Sequence, residues 1–193
     1  ARFLAPKARA FEEATKDPIT AQKKLLFEYL RRNEDTEYGR RYNFAKIKSV
    51  EDYRRYVPIC DCEAIRHFTD RMKDGEQNIL TADKPIFFGA TSGTTNKPKY
   101  IPVTDFSCRK KAEQMDLWSY YIMKDHPDIL QGKILAVVSA DTEGVTESGI
   151  AYGAESGHAY KNLPLFVKRF YAIPHEVFGI KDYAAKYYCI LRI

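Results

Sequence analysis

The chain is poor in the residues that build stapled or metal-bound domains. It has four cysteines in 193 residues, at positions 60, 62, 108 and 189, spaced neither as a zinc knuckle nor as a disulfide framework. Cys60-Asp61-Cys62 is too tight for a chelating pair, so free thiols are expected and no metal site is assigned. The four histidines, 67, 126, 158 and 175, stand apart. None forms the helix-spaced pair of zinc proteases, and surface or hydrogen-bonded core positions are expected for them. Long apolar runs are missing too. Nothing approaches the roughly 20 residues of a membrane-spanning helix, and residues 1–7 lack the hydrophobic core of a signal peptide. An excess of one charge is also lacking, because 31 basic residues are interspersed with 26 acidic ones for a net charge of +5. Such a balance reads as a solvated surface rather than a nucleic-acid face. The expectation is a cytoplasmic protein without membrane or nucleic-acid partners.

What the chain does have is a core's worth of apolar residues, 45% of the total with 13% aromatic, and one polar stretch set among them. From Thr91 to Lys97, Thr91-Ser92-Gly93-Thr94-Thr95-Asn96-Lys97 offers four hydroxyls, a glycine and an ammonium, and Lys99 adds a second ammonium. Polyphosphate oxygens require several short, directed donors. A glycine lets backbone N–H groups approach closely, hydroxyls donate from short stems, and lysines add point charge. The flanks are extended in character: Pro85 to Ala90 is an apolar run, and Tyr100, Ile101 and Val103 favour strands. A strand, an oxyanion-binding loop and a second strand are therefore expected. The Walker phosphate loop fails on spacing, since Thr94 stands five positions after Gly89 and Pro98 five after Gly93, where that motif needs glycine.

Thr91-Ser92-Gly93-Thr94-Thr95-Asn96-Lys97-Pro98-Lys99 instead resembles the phosphate loop of the adenylate-forming enzymes, a superfamily that includes acyl-CoA synthetases and firefly luciferase. Asn96 and Tyr100 stand where that loop usually has glycine, and Asn tolerates left-handed backbone angles best among the other residues. The run from Lys97 through Tyr100 to Thr104 resembles the Gretchen Hagen (auxin-responsive promoter) family of acyl acid–amino acid synthetases. So do Thr36 to Tyr42, Ser49 to Pro58 and Glu76 to Thr81, which extends the resemblance over most of residues 25–105.

The remaining pattern is helical before the loop and mixed after it. Phe3, Leu4, Ala8, Phe11 and Ala14 share helical spacing. Asp17-Pro18 restarts a helix with Leu25, Leu26, Tyr29 and Leu30 on its apolar face. Ser49 is placed to cap a helix through Tyr56, and Glu63 to Lys73 reads as a helix ended by Gly75. Thr104 caps a long helix to about Lys124, whose stripe of Cys108, Ala112, Met115, Trp118 and Ile122 is expected in the core. Lys133 to Ser139 reads as a buried strand. Gly144 to Gly157 is glycine-punctuated and stands open between a surface loop and a pocket wall. The aromatic and basic residues from Phe166 to Tyr188 are expected to pack against the sheet.

The resemblance implies an α/β fold: part of the large N-terminal domain of an adenylate-forming enzyme, with helices packed on a mixed β-sheet. Residues 1–193 are expected to form a single incomplete domain, with a helical approach over 1–80 and the phosphate loop and sheet/helix unit over 81–193. The implied cofactors are ATP with Mg2+, and the implied partners are a small carboxylic acid and an amino acid. Thr91, Ser92, Gly93, Thr94 and Thr95 would hold the β- and γ-phosphates while Lys97 and Lys99 offset charge. The implied reaction is adenylation of the acid followed by amide formation, in a full-length protein of which this chain is a fragment inactive alone. No catalytic base is assigned. A phenylacetate-type acyl- or aryl-CoA ligase and a non-catalytic nucleotide-binding scaffold remain open.

Overall fold

The computed structural model describes residues 2–91 and 98–193 of the chain. They form two compact units, Ala1–Ile86 with Thr104–Tyr121, and Phe87–Val103 with Ile122–Ile193.

The first unit is helical. α1 (Ala5–Ala14) is followed by α2 (Pro18–Arg32), which begins where the Asp17 side chain accepts a hydrogen bond from the Thr20 N–H. α3 (Glu37–Arg41) is capped by Thr36, and α4 (Val50–Tyr56) opens on a reciprocal pair in which Ser49 and Asp52 each accept the other's backbone N–H. α5 (Cys62–Lys73) ends as its glycine predicts. Gly75 has φ 102°, and the N–H groups of Gly75 and Glu76 return to the carbonyls of Met72 and Arg71, satisfying acceptors that a helix end leaves bare. Leu30, Ile47, Phe68, Met72 and Ile79 are buried in this unit. Residues 76–83 are held by backbone bonds from Glu37 and Tyr38 to Asn78 and Ile79 and by a bidentate Arg32–Asp83 pair at 2.7–2.9 Å.

The second unit is built on a mixed four-stranded sheet, in the order β2-β1-β4-β3. β1 (Phe87–Thr91) and β2 (Lys99–Val103) are antiparallel, with Phe87 opposite Val103 and Thr91 opposite Lys99. The apolar run of β1 is explained by its interior position: Phe87 and Phe88 point to opposite faces and are 1% and 0% exposed. β2 is an edge strand and so tolerates Pro102, which lacks a donor for the ladder. Helix α6 (Asp105–Asp125) follows in the chain and belongs through Tyr121 to the first unit, its first turn capped as expected by Thr104 accepting from the Ser107 N–H at 3.2 Å.

Beyond α6 the structure departs from the sequence pattern. Lys133 to Ser139 is not a strand. Only Ile134 makes an isolated bridge, to Tyr171, while Leu135 and Val137 are 71% and 53% exposed. Apolar content is compatible with a strand, but a strand needs a ladder partner along its length. The α6 stripe is not core either, since Met115 and Trp118 are 53% and 60% exposed. Helical spacing records which side chains share a face, not what covers that face.

The glycine-rich run forms two short strands joined by an exposed turn, and then the start of a helix. β3 (Gly144–Val145) turns back through Gly149, at φ 83°, into β4 (Ala151–Gly153), and α7 (Glu155–Lys161) follows directly. β4 is parallel to β1, with Phe88 beside Tyr152 and Gly89 beside Gly153. Three helices close the unit: α8 (Leu165–Lys168), α9 (His175–Phe178) and α10 (Tyr183–Arg192). Its helical core is Tyr160, Ile173 and Phe178, with Val138, Tyr171 and Ile190 packed against them. Phe166, by contrast, is exposed, so only part of the aromatic C-terminal segment turns inward.

Candidate functional site

The hairpin of β1 and β2 brings together the two ends of the hydroxyl-rich stretch. Thr91 closes β1 and Lys99 opens β2, and the two are cross-strand partners. Directly opposed residues on neighbouring strands project to the same face, so a hydroxyl and an ammonium stand side by side at the end of the ladder that leads into residues 92–97. Thr91 is exposed and Lys99 half-buried. Ser92, Gly93, Thr94, Thr95 and Lys97 lie outside the described residues. The structure thus places two of the seven residues expected to contact phosphate, and it places them together.

The period of two along β1 extends this face backwards. Phe87, Gly89 and Thr91 share it with Val103, Ile101 and Lys99, and α7 lies over it. The His158 ring stacks on Phe87 at 4.0 Å and 15°. One turn earlier, Glu155 lies against Gly89. A Cβ on that glycine would sit 3.7 Å from the Glu155 Cβ and 3.9 Å from its Oε2. A half-buried carboxylate therefore occupies the face that carries Thr91 and Lys99, and nothing in the spacing of the sequence indicated it. Its place depends on parallel pairing between segments some sixty residues apart.

Helix α7 is held in register by contacts that need small residues and by charge. A Cβ on Gly157 would collide with the Ser139 carbonyl, and one on Gly153 with the Asp141 carbonyl. Ala154 donates to the Ala140 carbonyl at 3.2 Å. At the other end of the helix, Lys161 Nζ meets Asp141 Oδ2 at 2.7 Å, and His175 Nε2 lies 3.3 Å from the other carboxylate oxygen. Burial pushes the Asp141 carboxyl up, but hydrogen bonds from Lys161 and Thr142 and the nearby positive charge outweigh it and hold the group below the usual carboxylate range. Burial lowers the His158 pKa against the opposing pull of Asp141, so this ring packs as a neutral imidazole at neutral pH. These groups fix the helix; Glu155 is the one aimed at the hairpin.

Strands β1 and β4 run parallel; β4 ends at Gly153, beside Gly89, and β1 continues two residues further to Thr91. Ligands of α/β sheets bind outside the carboxyl ends of parallel strands, where the connections diverge. Here β1 is followed in the chain by residues 92–97, outside the described residues, and β4 by α7. The chemistry offered is a hydroxyl donor, an ammonium and a carboxylate acceptor. Among the described residues, no group of three histidine, cysteine or acidic side chains could hold a metal ion, and no helix is long and apolar enough to cross a membrane.

A family model described as the GH3 family N-terminal domain matches residues 7–193. The chain is similar to the jasmonoyl–L-amino acid synthetase JAR6 of Nicotiana attenuata, at 28% identity over 189 residues, 94% of this chain and 32% of that protein. It is similar to the indole-3-acetic acid-amido synthetase GH3.15 of Arabidopsis thaliana, at 28% identity over 141 residues, 72% of this chain and 24% of that one. In three dimensions it is similar to a solved GH3.15 acyl acid amido synthetase with a TM-score of 0.79, at 22% identity over 95% of this chain and 33% of the other. That last likeness is one of fold. The chain spans about a third or less of the length of these relatives.

Proposed function

Because the chain belongs to the GH3 family, whose relatives named above are amido synthetases, we propose that it is the phosphate-binding part of a longer, ATP-dependent acyl acid amido synthetase. The observation that carries this reading is the pairing of Thr91 with Lys99 on one face, at the end of the hairpin that borders residues 92–97. A hydroxyl and an ammonium so paired fit the oxygens of a polyphosphate.

In the proposed first half-reaction, the carboxylate oxygen of the acid attacks the α-phosphorus of ATP. A phosphorus–oxygen bond forms, the α–β anhydride bond breaks, and pyrophosphate leaves. In the second, an amino acid's nitrogen attacks the acyl carbon, loses a proton and displaces AMP, leaving an amide. Negative charge builds on the pyrophosphate oxygens as the anhydride opens, so donors fixed there stabilise the transition state more than the ground state. Thr91, Ser92, Gly93, Thr94 and Thr95 would bind the β- and γ-phosphates, with Lys97 and Lys99 offsetting their charge. Mg2+ would arrive with the nucleotide, held chiefly by phosphate oxygens. The attacking carboxylate is already ionised near neutral pH, so the first step asks no general base of the protein. The setting proposed is cytoplasmic.

Acid-dependent exchange of labelled pyrophosphate into ATP by the full-length protein tests the first half-reaction. No exchange with any carboxylic acid would favour a non-catalytic nucleotide-binding scaffold. Screening amino acids against coenzyme A as acceptor then separates an amido synthetase from an acyl-CoA ligase, which shares the first step.

A further inference from the structure

We propose that the helical unit carries a binding groove of its own for a small amphipathic anion, a carboxylate with an aromatic or short alkyl body. The inference is independent of the adenylation reading and concerns a different part of the chain.

The groove has a volume of about 400 Å3 and lies between α2 and the turn at residues 44–48. α2 contributes Lys24, Phe27, Arg31 and Glu34 at intervals of three and four residues, the spacing of a single helix face. The most buried parts of the lining are Leu30 on α2 and Ile47 in the turn, and Phe27 and Phe44 add half-buried rings. The turn is fixed by its own hydrogen bonds. Asn43 precedes it at φ 54°, a left-handed angle that asparagine tolerates. The N–H groups of Lys46 and Ile47 return to the carbonyls of Asn43 and Phe44, and that of Lys48 is accepted by the Asp52 carboxylate at 3.0 Å. One wall is therefore ordered before any ligand arrives, which lowers the cost of binding.

Charge decides what fits. Lys24, Arg31 and Lys48 are exposed cations in the lining, and half-buried Glu34 is its one acid, an excess of two positive charges beside an apolar interior. Arg31 donates its Nε–H to the Phe27 carbonyl at 3.3 Å, and Lys48 donates to the Ala45 carbonyl at 3.1 Å. These bonds tie each cation to a lining residue. A guanidinium has five N–H donors and an ammonium three, so both have donors left for a ligand oxygen. A bare inorganic anion would meet the cations but leave the apolar lining in water, and an uncharged apolar compound would do the reverse. A molecule with both parts answers both. Small-molecule sites run from roughly 300 to 1,000 Å3, so this groove admits a body of one or two rings or a short chain.

The test irradiates the full-length protein with trifluoromethyl-diazirinyl benzoate, a photoreactive aryl carboxylate, and reads chymotryptic peptides by mass spectrometry. Peptides from residues 24–48 should carry the label. Naphthoate should suppress it at about one tenth of the concentration needed for naphthamide, its uncharged counterpart. Replacing the three cations together, as Lys24→Gln with Arg31→Gln and Lys48→Gln, should reduce labelling of these peptides by about tenfold, the combined effect of modest contributions from exposed charges, with an unchanged circular dichroism spectrum. Ala45→Trp leaves the cations in place and fills the groove from an exposed position. It should reduce labelling as well, and keeps the test decisive if the triple variant unfolds. Absence of label from residues 24–48 of the wild type overturns the proposal, as does labelling that survives Ala45→Trp. Equal labelling in a folded triple variant, or equal suppression by naphthoate and naphthamide, overturns it too. Labelling needs neither ATP nor turnover, so none of these outcomes bears on pyrophosphate exchange by the same protein.

Discussion

At the scale of single residues, Lys99 carries the strongest expectation. It opens an edge strand, is half-buried, and faces the same side as Thr91, while the ladder it belongs to is held by backbone groups that alanine retains. Lys99→Ala in the full-length protein should therefore lower acid-dependent pyrophosphate exchange by roughly a hundredfold to a thousandfold, the usual loss for one transition-state donor, with an unchanged circular dichroism spectrum and melting temperature. Exchange at the normal rate would remove Lys99 from the site. The pairing that sets Thr91 opposite Lys99 was legible in the sequence, as two extended segments flanking one polar run. Glu155 was not legible. Its neighbour Gly89 is far away along the chain, and only the β1–β4 pairing makes them adjacent.

At the scale of elements, the caps were written locally and the long-range pairings were not. Asp17, Ser49, Thr104 and Gly75 each act within a few residues of their own position, and each ends or starts a helix as its chemistry requires. α4 has only seven residues, too few to persist without its ends secured. Ser49→Ala removes the acceptor for the Asp52 N–H at 2.9 Å and should cost about 1 kcal/mol, read as a lower urea midpoint; no change would mean that tertiary contacts alone hold α4. The strand expected at residues 133–139 failed for the opposite reason. Its apolar content is local, but its partner is not, and the strand beside β1 is the short β4 from the glycine-rich run. Between these extremes lies the Arg71 cluster, where one guanidinium joins α5 to Glu37 at 2.8–2.9 Å and to Glu76 at 2.6–3.0 Å. Hydrogen bonds from Arg71 hold both carboxyls below their ordinary values. Groups with lowered folded pKa values stabilise fully above the unfolded value, about 4.3 for glutamate, and lose that contribution as pH falls through the folded values. Urea midpoints of the wild type should thus decline below about pH 4.3, and Arg71→Met should flatten that acid limb. An identical limb in the variant would show that other carboxylates govern it.

At the scale of the whole molecule, the described residues form two compact units, each with buried residues of its own, yet large apolar side chains on α6 and α10, among them Trp118, Tyr183 and Leu191, face solvent. The relatives this chain resembles are about three times as long. A nucleotide has two recognisable ends, and the proposed reading gives the hairpin only one of them. On the proposed reading, Thr91, Lys99 and the residues between would address phosphates, whose contacts with water are nearly as good as those with protein donors, so net affinity from phosphate binding alone is modest. Tight binding also requires an apolar, aromatic-walled seat for the base. Residues 1–193 produced alone should accordingly bind ATP weakly, with a dissociation constant well above micromolar by calorimetry, whereas the full-length protein should bind it more tightly and lose that gain on Lys99→Ala. Submicromolar binding by residues 1–193 alone would mean that this chain carries a complete nucleotide site, and the division of labour proposed between the hairpin and the rest of the enzyme would be wrong.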